Sequence, residues 1–422
     1  MSIKMKNHVA GRLGQVVWMS VLLLTAGTVW GAGDGMRIGK FDVNPKVTLQ
    51  GEYNDNIFWE EDNEKSDFIY TLSPSVALVY ESSPENTLEI GYEVDLAAYA
   101  DYTESNYDRH NPYLALAYTA PSGLYARLDE SYVNTEDPHG SLNEYNLGIS
   151  TERWNNTLDA AVGFNFARRL GVEGSYTTFM ERYARGFDEW EDVDDVTYGI
   201  ALFYGITPKT RVFCQYQYRD VEYPEQNDGV NMISGPAWSS QTSQDNRQDL
   251  YYIGARFSPF SKLSGEAKIG YADIRHDNDT DRNGVAYEDE STWVAQTRIG
   301  YQMRERTRFS FELSRAYRST SYEAGASPGY LDTLVRLGME QQMRNRLRAV
   351  LDLDWNTLDY QDNGPEKFYN IFRVNTGVIY DINPWLETGL LYRFKDKNAT
   401  KKMYEADDYT INAVVLNLTA RY

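Results

Sequence analysis

The chain ends in Ile411-Asn-Ala-Val-Val-Leu-Asn-Leu-Thr-Ala-Arg-Tyr422, a stretch that separates into two kinds of side chain when it is read with a period of two. Successive side chains of a β-strand point to opposite faces, so positions two apart share a face. One face carries Val414, Leu416, Leu418, Ala420 and Tyr422, and the other carries Val415, Asn417, Thr419 and Arg421. We therefore expect a strand with one apolar and one polar face, either in a membrane barrel around a wet lumen or at the edge of a soluble β-sandwich.

The amino-terminal end of the chain bears on this choice. Residues 1–31 begin with basic residues and continue in an apolar run over 16–30, which is too short and too early for a membrane-spanning helix. We expect a secretory signal peptide, cleaved after Gly31 in preference to Ala32. Cys214 is the only cysteine, so the sequence predicts neither an amino-terminal lipid anchor nor an intrachain disulfide.

Composition narrows the class of protein further. No later stretch has the apolar length of a spanning helix, and the mean hydropathy is −0.58, which excludes a helical membrane protein. The 34 Tyr, 9 Trp and 16 Phe exceed what the core of a hydrophilic protein needs, and two aromatic girdles at membrane interfaces would use them. The formal charge of −21 argues against nucleic-acid binding on electrostatic grounds.

Alternating segments run from Pro45 to the end of the chain, separated by Gly, Asn, Asp and Pro. Short turns such as 207–209 alternate with longer polar stretches such as 135–150, the pattern of periplasmic turns and extracellular loops. Strands are predicted near 45–57, 66–81, 87–101, 108–119, 123–134, 151–167, 171–183, 194–206, 209–221, 247–258, 261–275, 290–302, 306–318, 330–342, 345–358, 367–381, 385–395 and 407–422. We predict an all-β protein: a periplasmic segment over 32–44 and a single closed antiparallel transmembrane β-barrel of about eighteen strands over 45–422, with sixteen or twenty as alternatives.

A family resemblance is carried by the first two predicted strands. Glu52-Tyr-Asn-Asp-Asn-Ile-Phe58, followed by Ser66-Asp-Phe-Ile-Tyr-Thr-Leu-Ser-Pro-Ser-Val-Ala-Leu78, resembles the opening of the outer-membrane β-barrel porins found with bacterial exopolysaccharide and capsule genes. The resemblance implies a porin-like channel in a Gram-negative outer membrane, for polysaccharide export or saccharide passage. It supplies no catalytic residues.

Lumen-facing charge forms the candidate site. In the first seven strands the inward phase is mostly acidic and has a single cation, Arg127, whereas from the ninth strand onward it is mostly basic. The candidate substrate path comprises Glu89, Glu93, Asp95, Tyr99, Tyr252, Arg256, Arg298, Arg336, Arg348, Arg373 and Arg393. Opposed charges could orient solutes and select them by charge, and aromatic faces could bind sugars. The alternative is that the charges pair with neighbouring strands and maintain the shape of the barrel.

Two loops stand out. Residues 279–290 fit the spacing of a calcium-binding loop, with Asp279, Asp281, Asn283, Val285 and Glu290 as ligand positions. However, strands rather than helices are predicted on both sides, and acidic turn-formers are ordinary content of an exposed loop. The longest loop, 222–246, contains Met232, Ile233 and Trp238, and we predict that it folds inward and restricts the pore; a lid or a lipopolysaccharide contact is the alternative.

Catalysis is not expected, since no Ser-centred motif or haem motif accompanies the loop histidines His110, His139 and His276. The expected partners are outer-membrane lipid, lipopolysaccharide and the barrel-assembly machinery, together with polysaccharide export proteins if the resemblance holds. A structural sleeve that holds a periplasmic export or electron-transfer partner needs the same polar lumen as a channel. The sequence therefore leaves these two functions open.

Overall fold

A computed structural model describes residues 36–136, 152–166, 169–184, 191–227, 240–258, 262–280, 284, 286–287, 289–319, 329–360, 368–399 and 408–422. The predicted signal peptide, 1–31, lies outside these ranges. Within them β-strand is the dominant structure, and the helical content is a 3₁₀ turn over Thr103–Ser105 and a short helix, α1, over Pro224–Asn227. None of the helices described is long and apolar enough to cross a membrane.

Strands follow one another along the chain as antiparallel hairpins. They are β1 (Met36–Ile38), β2 (Phe41–Asn54), β3 (Asp67–Ser83), β4 (Asn86–Tyr99), β5 (Tyr107–Thr119), β6 (Leu124–Thr135), β7 (Arg153–Phe164), β8 (Leu170–Tyr183), β9 (Val193–Thr207), β10 (Thr210–Glu222), β11 (Asn246–Phe257), β12 (Leu263–His276), β13 (Glu290–Arg304), β14 (Thr307–Ser319), β15 (Gly329–Arg344), β16 (Leu347–Tyr360), β17 (Phe368–Asn383), β18 (Leu386–Ala399) and β19 (Tyr409–Arg421). Every strand predicted from the sequence has a counterpart.

The barrel closes where the last strand meets the first long one. β19 pairs with β2 in antiparallel register, with Leu418 opposite Leu49 and Val415 opposite Glu52. The result is a closed antiparallel barrel of eighteen strands, β2 to β19, with one extra strand, β1. The predicted fold class and strand number are therefore confirmed.

β1 lies in the segment that was predicted to precede the barrel. It pairs with the start of β2, where Ile38 is opposite Phe41. β19 ends opposite Lys46, so β1 pairs with the part of β2 that extends past the end of β19. As a result the first barrel strand begins at Phe41 rather than at position 45.

Register assigns each side chain to a face, because residues directly opposite one another in a β-ladder point the same way. The inner face is the one on which side chains from non-adjacent strands meet, as Arg393 of β18 and Glu52 of β2 do at 3.0 Å. Following the pairing around the barrel places Glu93 and Asn417 on this lumen face. Leu416, on the other face, is 60% exposed, as a lipid-facing side chain would be.

Aromatic side chains are abundant on the outer face. Those more than a third exposed include Tyr70, Tyr92, Tyr198, Tyr204, Tyr251, Tyr271, Trp293, Tyr301, Trp355, Tyr380, Trp385 and Tyr392. Tyr and Trp prefer membrane interfaces because the ring is apolar and the hydroxyl or indole N–H is polar. The surplus of aromatic residues in the sequence thus lies largely on the surface that contacts lipid.

Candidate functional site: the lumen wall

One buried carboxylate connects four strands inside the barrel. Glu173 of β8 is 2% exposed and accepts two hydrogen bonds from Arg256 of β11, at 2.8 and 3.0 Å. Tyr125 and Arg127 of β6 donate to the same carboxylate at 3.0 and 3.4 Å, and Arg256 also donates to Glu266 of β12 at 2.6 Å. We call these five residues the Glu173 cluster. Every charge in it has a partner of opposite sign, so the cluster fixes the relative positions of the strands.

Most of the arginines predicted to line the path are paired with carboxylates in the same way. Arg298 bonds Glu312 at 2.8 Å, and Arg336 bonds Asp354 at 2.7 and 3.0 Å. Further along the wall, Arg348 bonds Glu387 at 3.0 Å, and Arg393 bonds Glu52 at the same distance. Arg256 belongs to the Glu173 cluster. Ion pairing between strands, the alternative raised by the sequence, is therefore what these five arginines do.

The half of the wall predicted to be acidic contains more cations than the single Arg127 expected from the sequence. Lys46 lies 3.5 Å from Glu93, and Arg109 lies 3.3 Å from Asp95, which also accepts a bond from Ser73 at 2.6 Å. Lys46 and Arg109, and with them Arg153 beside Glu181, point into the lumen in addition to Arg127. The opposition of a purely acidic and a basic wall is thus weaker than predicted.

The predicted tyrosines lie flat against the wall. Tyr99 and Tyr252 are 5% and 8% exposed, so their rings are buried among neighbours. The ring of Tyr113 lies over Gly91 of the paired strand, where a Cβ would come within 2.1 Å of it, and its hydroxyl donates to Glu89 at 2.8 Å. Aromatic rings that cover glycines of the next strand keep the inner surface smooth. These rings form part of the wall and leave little open face for a sugar.

Two neighbouring lumen cations, Arg373 and Lys395, lie beside aromatic rings. Arg373 of β17 is opposite Lys395 of β18, and neither forms an ion pair with a carboxylate of the described residues. The Lys395 ammonium stands 3.6 Å from the centre of the Trp59 ring and 5.0 Å from that of Tyr409. Trp59 and Tyr409 stack on each other at 5.5 Å. We call Arg373, Lys395, Trp59 and Tyr409 the seam cluster, since Tyr409 belongs to β19 and Trp59 to the loop after β2.

A third group of side chains packs across the lumen at the end of the barrel that carries the long loops. Arg219 of β10 donates hydrogen bonds to Asp195 from Nε and Nη2, at 2.5 to 3.1 Å. Its Nη1 donates to the carbonyl oxygen of Tyr317 in β14 at 3.0 Å. Tyr317 is 1% exposed, and Tyr223, in the loop after β10, is 3% exposed. Burial raises the pKa of Tyr223, which keeps its hydroxyl neutral. Contacts between β10 and β14, four strands apart, show that this end of the lumen is partly filled.

The two loops singled out from sequence are described only in part. Tyr223 and Gln226 near the start of loop 222–246 are buried, as is Gln244 near its end, and the Gln226 side chain donates to the Gln244 side chain and accepts a bond from its backbone N–H. Met232, Ile233 and Trp238 lie outside the described residues, so the inward fold of the loop stays a prediction. In the acidic loop, Asp279 is exposed and Glu290 begins β13, whereas Asp281, Asn283 and Val285 lie outside the described residues. The calcium site likewise stays a prediction.

Two residues near the lumen, Lys397 and Trp59, were not predicted from the sequence. Lys397 lies on the same face as Lys395, over the Tyr369 ring at 4.2 Å, but the predicted strand stopped at 395 whereas β18 continues to Ala399. The alternation of Arg393, Lys395 and Lys397 was the signal that could have extended it. Trp59 lies in a loop, where no periodicity marks the direction of a side chain.

Comparison with known proteins gives a family and a set of similar barrels. The sequence model described as Putative beta-barrel porin 2 matches residues 31–422. No curated protein matches the sequence. Among solved structures, the outer membrane protein OpdK of Pseudomonas aeruginosa is 10% identical with a TM-score of 0.46, over 90% of this chain and 99% of that one. The FrpB iron transporter of Neisseria meningitidis is 9% identical (TM-score 0.40; 90% and 82% covered). A bacterial polysaccharide outer membrane secretin is 8% identical (TM-score 0.36; 92% and 100% covered).

Proposed function

The chain belongs to this β-barrel porin family and is an outer-membrane barrel, and from that premise we propose that it is a channel that passes polysaccharide, or smaller saccharides, through a charged lumen. The observation that carries the proposal is the seam cluster, where Arg373 and Lys395 lie beside aromatic rings and have no carboxylate partner within the described part of the chain. Sugars bind aromatic faces, and passage requires that no single site hold them tightly.

The alternative is a barrel that holds a periplasmic partner and conducts little. The observation in its favour is the packing of Arg219 and Tyr223 against β14 and β15, which narrows the lumen at the long-loop end. A channel and a sleeve differ in one measurable property, the current through the isolated protein. Conductance therefore separates them directly.

The test is the single-channel conductance of the purified barrel in a planar bilayer, with and without saccharides on the periplasmic side. A channel should give discrete openings that saccharides interrupt. Arg298→Gln and Arg308→Gln neutralise exposed lumen charges and should shift ion selectivity toward cations, without changing the heat-modifiable migration that reports barrel assembly. Arg336 is unsuitable for this test, because its substitution would leave Asp354, which it bonds at 2.7 Å, without that partner. Absence of any openings would contradict the channel and favour the sleeve.

A further inference from the structure

Two cations of the seam cluster lie side by side, and none of the described carboxylates forms an ion pair with either of them. Arg373 and Lys395 are direct partners in the β17–β18 ladder, and Lys397 follows on the same face. Like charges placed opposite each other in a ladder are destabilising, and more so in a partly desolvated lumen than in water. Such a pair persists when something outside the chain compensates for the repulsion, and an anion does so directly.

The carboxylates nearest in the ladders are already occupied. Asp354 is opposite Arg373 in register, but both of its oxygens accept bonds from Arg336. Glu52 of β2 pairs with Arg393. In the Glu173 cluster, by contrast, two carboxylates, Glu173 and Glu266, balance two arginines. The seam cluster is therefore a place where positive charge remains available to a ligand.

The aromatic half of the cluster is held in position by the chain. Trp59 has a φ of +56°, in the left-handed region that bulky residues rarely adopt. The buried side chain of Asn56 holds the loop around Trp59 in place. Its Nδ2 donates to the carbonyl oxygens of Glu60 and Thr410 at 2.7 and 3.1 Å. Non-glycine residues in this conformation are concentrated at functional sites, where the surrounding structure imposes it. The Trp59 ring is thus placed beside Lys395 before any ligand arrives.

We propose that the seam cluster binds the anionic group of an acidic saccharide, with Arg373 and Lys395 on the anion and the sugar ring against Trp59. This inference rests on the proposed function and deepens it, since it names the substrate class. A guanidinium fork matches a carboxylate or sulfate in two parallel hydrogen bonds, and an ammonium adds a point charge. Neutral saccharides offer these two groups hydroxyl acceptors but no negative charge, so they should bind more weakly.

The experiment measures binding of trigalacturonate, maltotriose and inorganic sulfate to the purified full-length barrel in detergent, by isothermal titration calorimetry. Removing a charge-assisted hydrogen bond weakens binding by about ten-fold or more. Arg373→Gln and Lys395→Gln should each weaken trigalacturonate binding by about that factor. Trp59→Ala should weaken it while Trp59→Phe largely retains it. Lys209→Gln removes an exposed turn cation and serves as the charge-matched control, with no expected change.

Each outcome supports or overturns the proposed binding site. Binding of trigalacturonate but not maltotriose, lost in Arg373→Gln and kept in Lys209→Gln, supports the site. Equal binding of sulfate and trigalacturonate, or indifference to Trp59→Ala, would overturn saccharide recognition in favour of a simple anion site. Equal loss in Lys209→Gln would show a general charge effect and overturn the proposal. Because calorimetry needs no current, failure of binding in a conducting protein overturns this inference alone, whereas a silent barrel that binds trigalacturonate overturns only the channel.

Discussion

The Glu173 cluster and the seam cluster each place two cations on the lumen face. They differ in the groups that lie beside these cations. Glu173 is buried and accepts bonds from Arg256 and Arg127, and Glu266 accepts a further bond from Arg256, so two negative and two positive charges cancel within the wall. Lys395, opposite Arg373, has aromatic neighbours, and no carboxylate in the described ranges pairs with either cation. A buried, paired charge cannot be removed without leaving its partner unsatisfied, whereas an unpaired one can be removed at little structural cost.

This difference separates structural from functional charge in a lumen where every strand contributes charged residues. It predicts that substitutions in the Glu173 cluster act on stability, and that substitutions in the seam cluster act on ligands.

The largest loss is expected for Glu173→Gln. The neutral amide would leave Arg256 and Arg127 short of a buried counter-charge, and the free energy of unfolding should fall by about 3 to 5 kcal/mol. Urea titration of the refolded barrel in lipid vesicles, followed by tryptophan fluorescence, measures it. Glu312→Gln is the matched control, since its partners Arg298 and Arg336 are 82% and 42% exposed and each pair should contribute about 1 kcal/mol or less. Similar losses in the two variants would contradict the distinction.

A smaller loss is expected for Gly163→Ala. A Cβ there would lie 2.1 Å from the Tyr125 ring, which must then move away from Glu173. Overpacking of this kind costs about 1 to 3 kcal/mol. Gly174→Ala is the control, because nothing lies within 4 Å of its Cβ position. If both glycines tolerate alanine equally in the same urea titration, the tyrosine ring is not held against the wall.

Asp55→Ala tests the support of the seam cluster. Asp55 accepts bonds from the backbone and side-chain nitrogens of Asn412, at 2.7 and 2.8 Å, and so ties the first long loop to β19. Losing these bonds should cost about 1 kcal/mol of stability and should also weaken trigalacturonate binding, because Trp59 is carried by the same loop. Asp62→Ala, an exposed substitution in that loop, should change neither quantity. Unaltered trigalacturonate binding in Asp55→Ala would show that the hydrogen bonds between Asp55 and Asn412 are not needed to position Trp59.

The smallest effect on stability is expected for Arg373→Gln. The variant removes a cation that has no carboxylate partner among the residues described, so the unfolding free energy should change by no more than about 0.5 kcal/mol. Its ion selectivity in a planar bilayer should nonetheless shift toward cations. A loss of stability comparable to that of Glu173→Gln would show that Arg373 is a structural residue after all.

Much of this architecture was predictable because the barrel imposes a period of two on every strand. Alternation of apolar and polar residues located the eighteen strands of the barrel, though not β1, and assigned Leu416 to the lipid face and Asn417 to the lumen. The resemblance carried by Asp55 and Asn56 also has a physical basis in the structure, since these side chains attach the first loop to the last strand. Strand ends were less certain, and stopping β18 at 395 concealed Lys397.

The sequence by itself determined the strands, their faces and the outer-membrane class, because these depend on local periodicity and on the lipid that surrounds the chain. Only the tertiary structure decided which lumen charges are paired. Glu173 and Arg256 are 83 residues apart, and Glu52 and Arg393 are 341 apart, so closure and register bring them together. The same geometry leaves Arg373 and Lys395 beside each other with Trp59 above them. Pairing is a property of distance in space, which alternation along one strand does not contain.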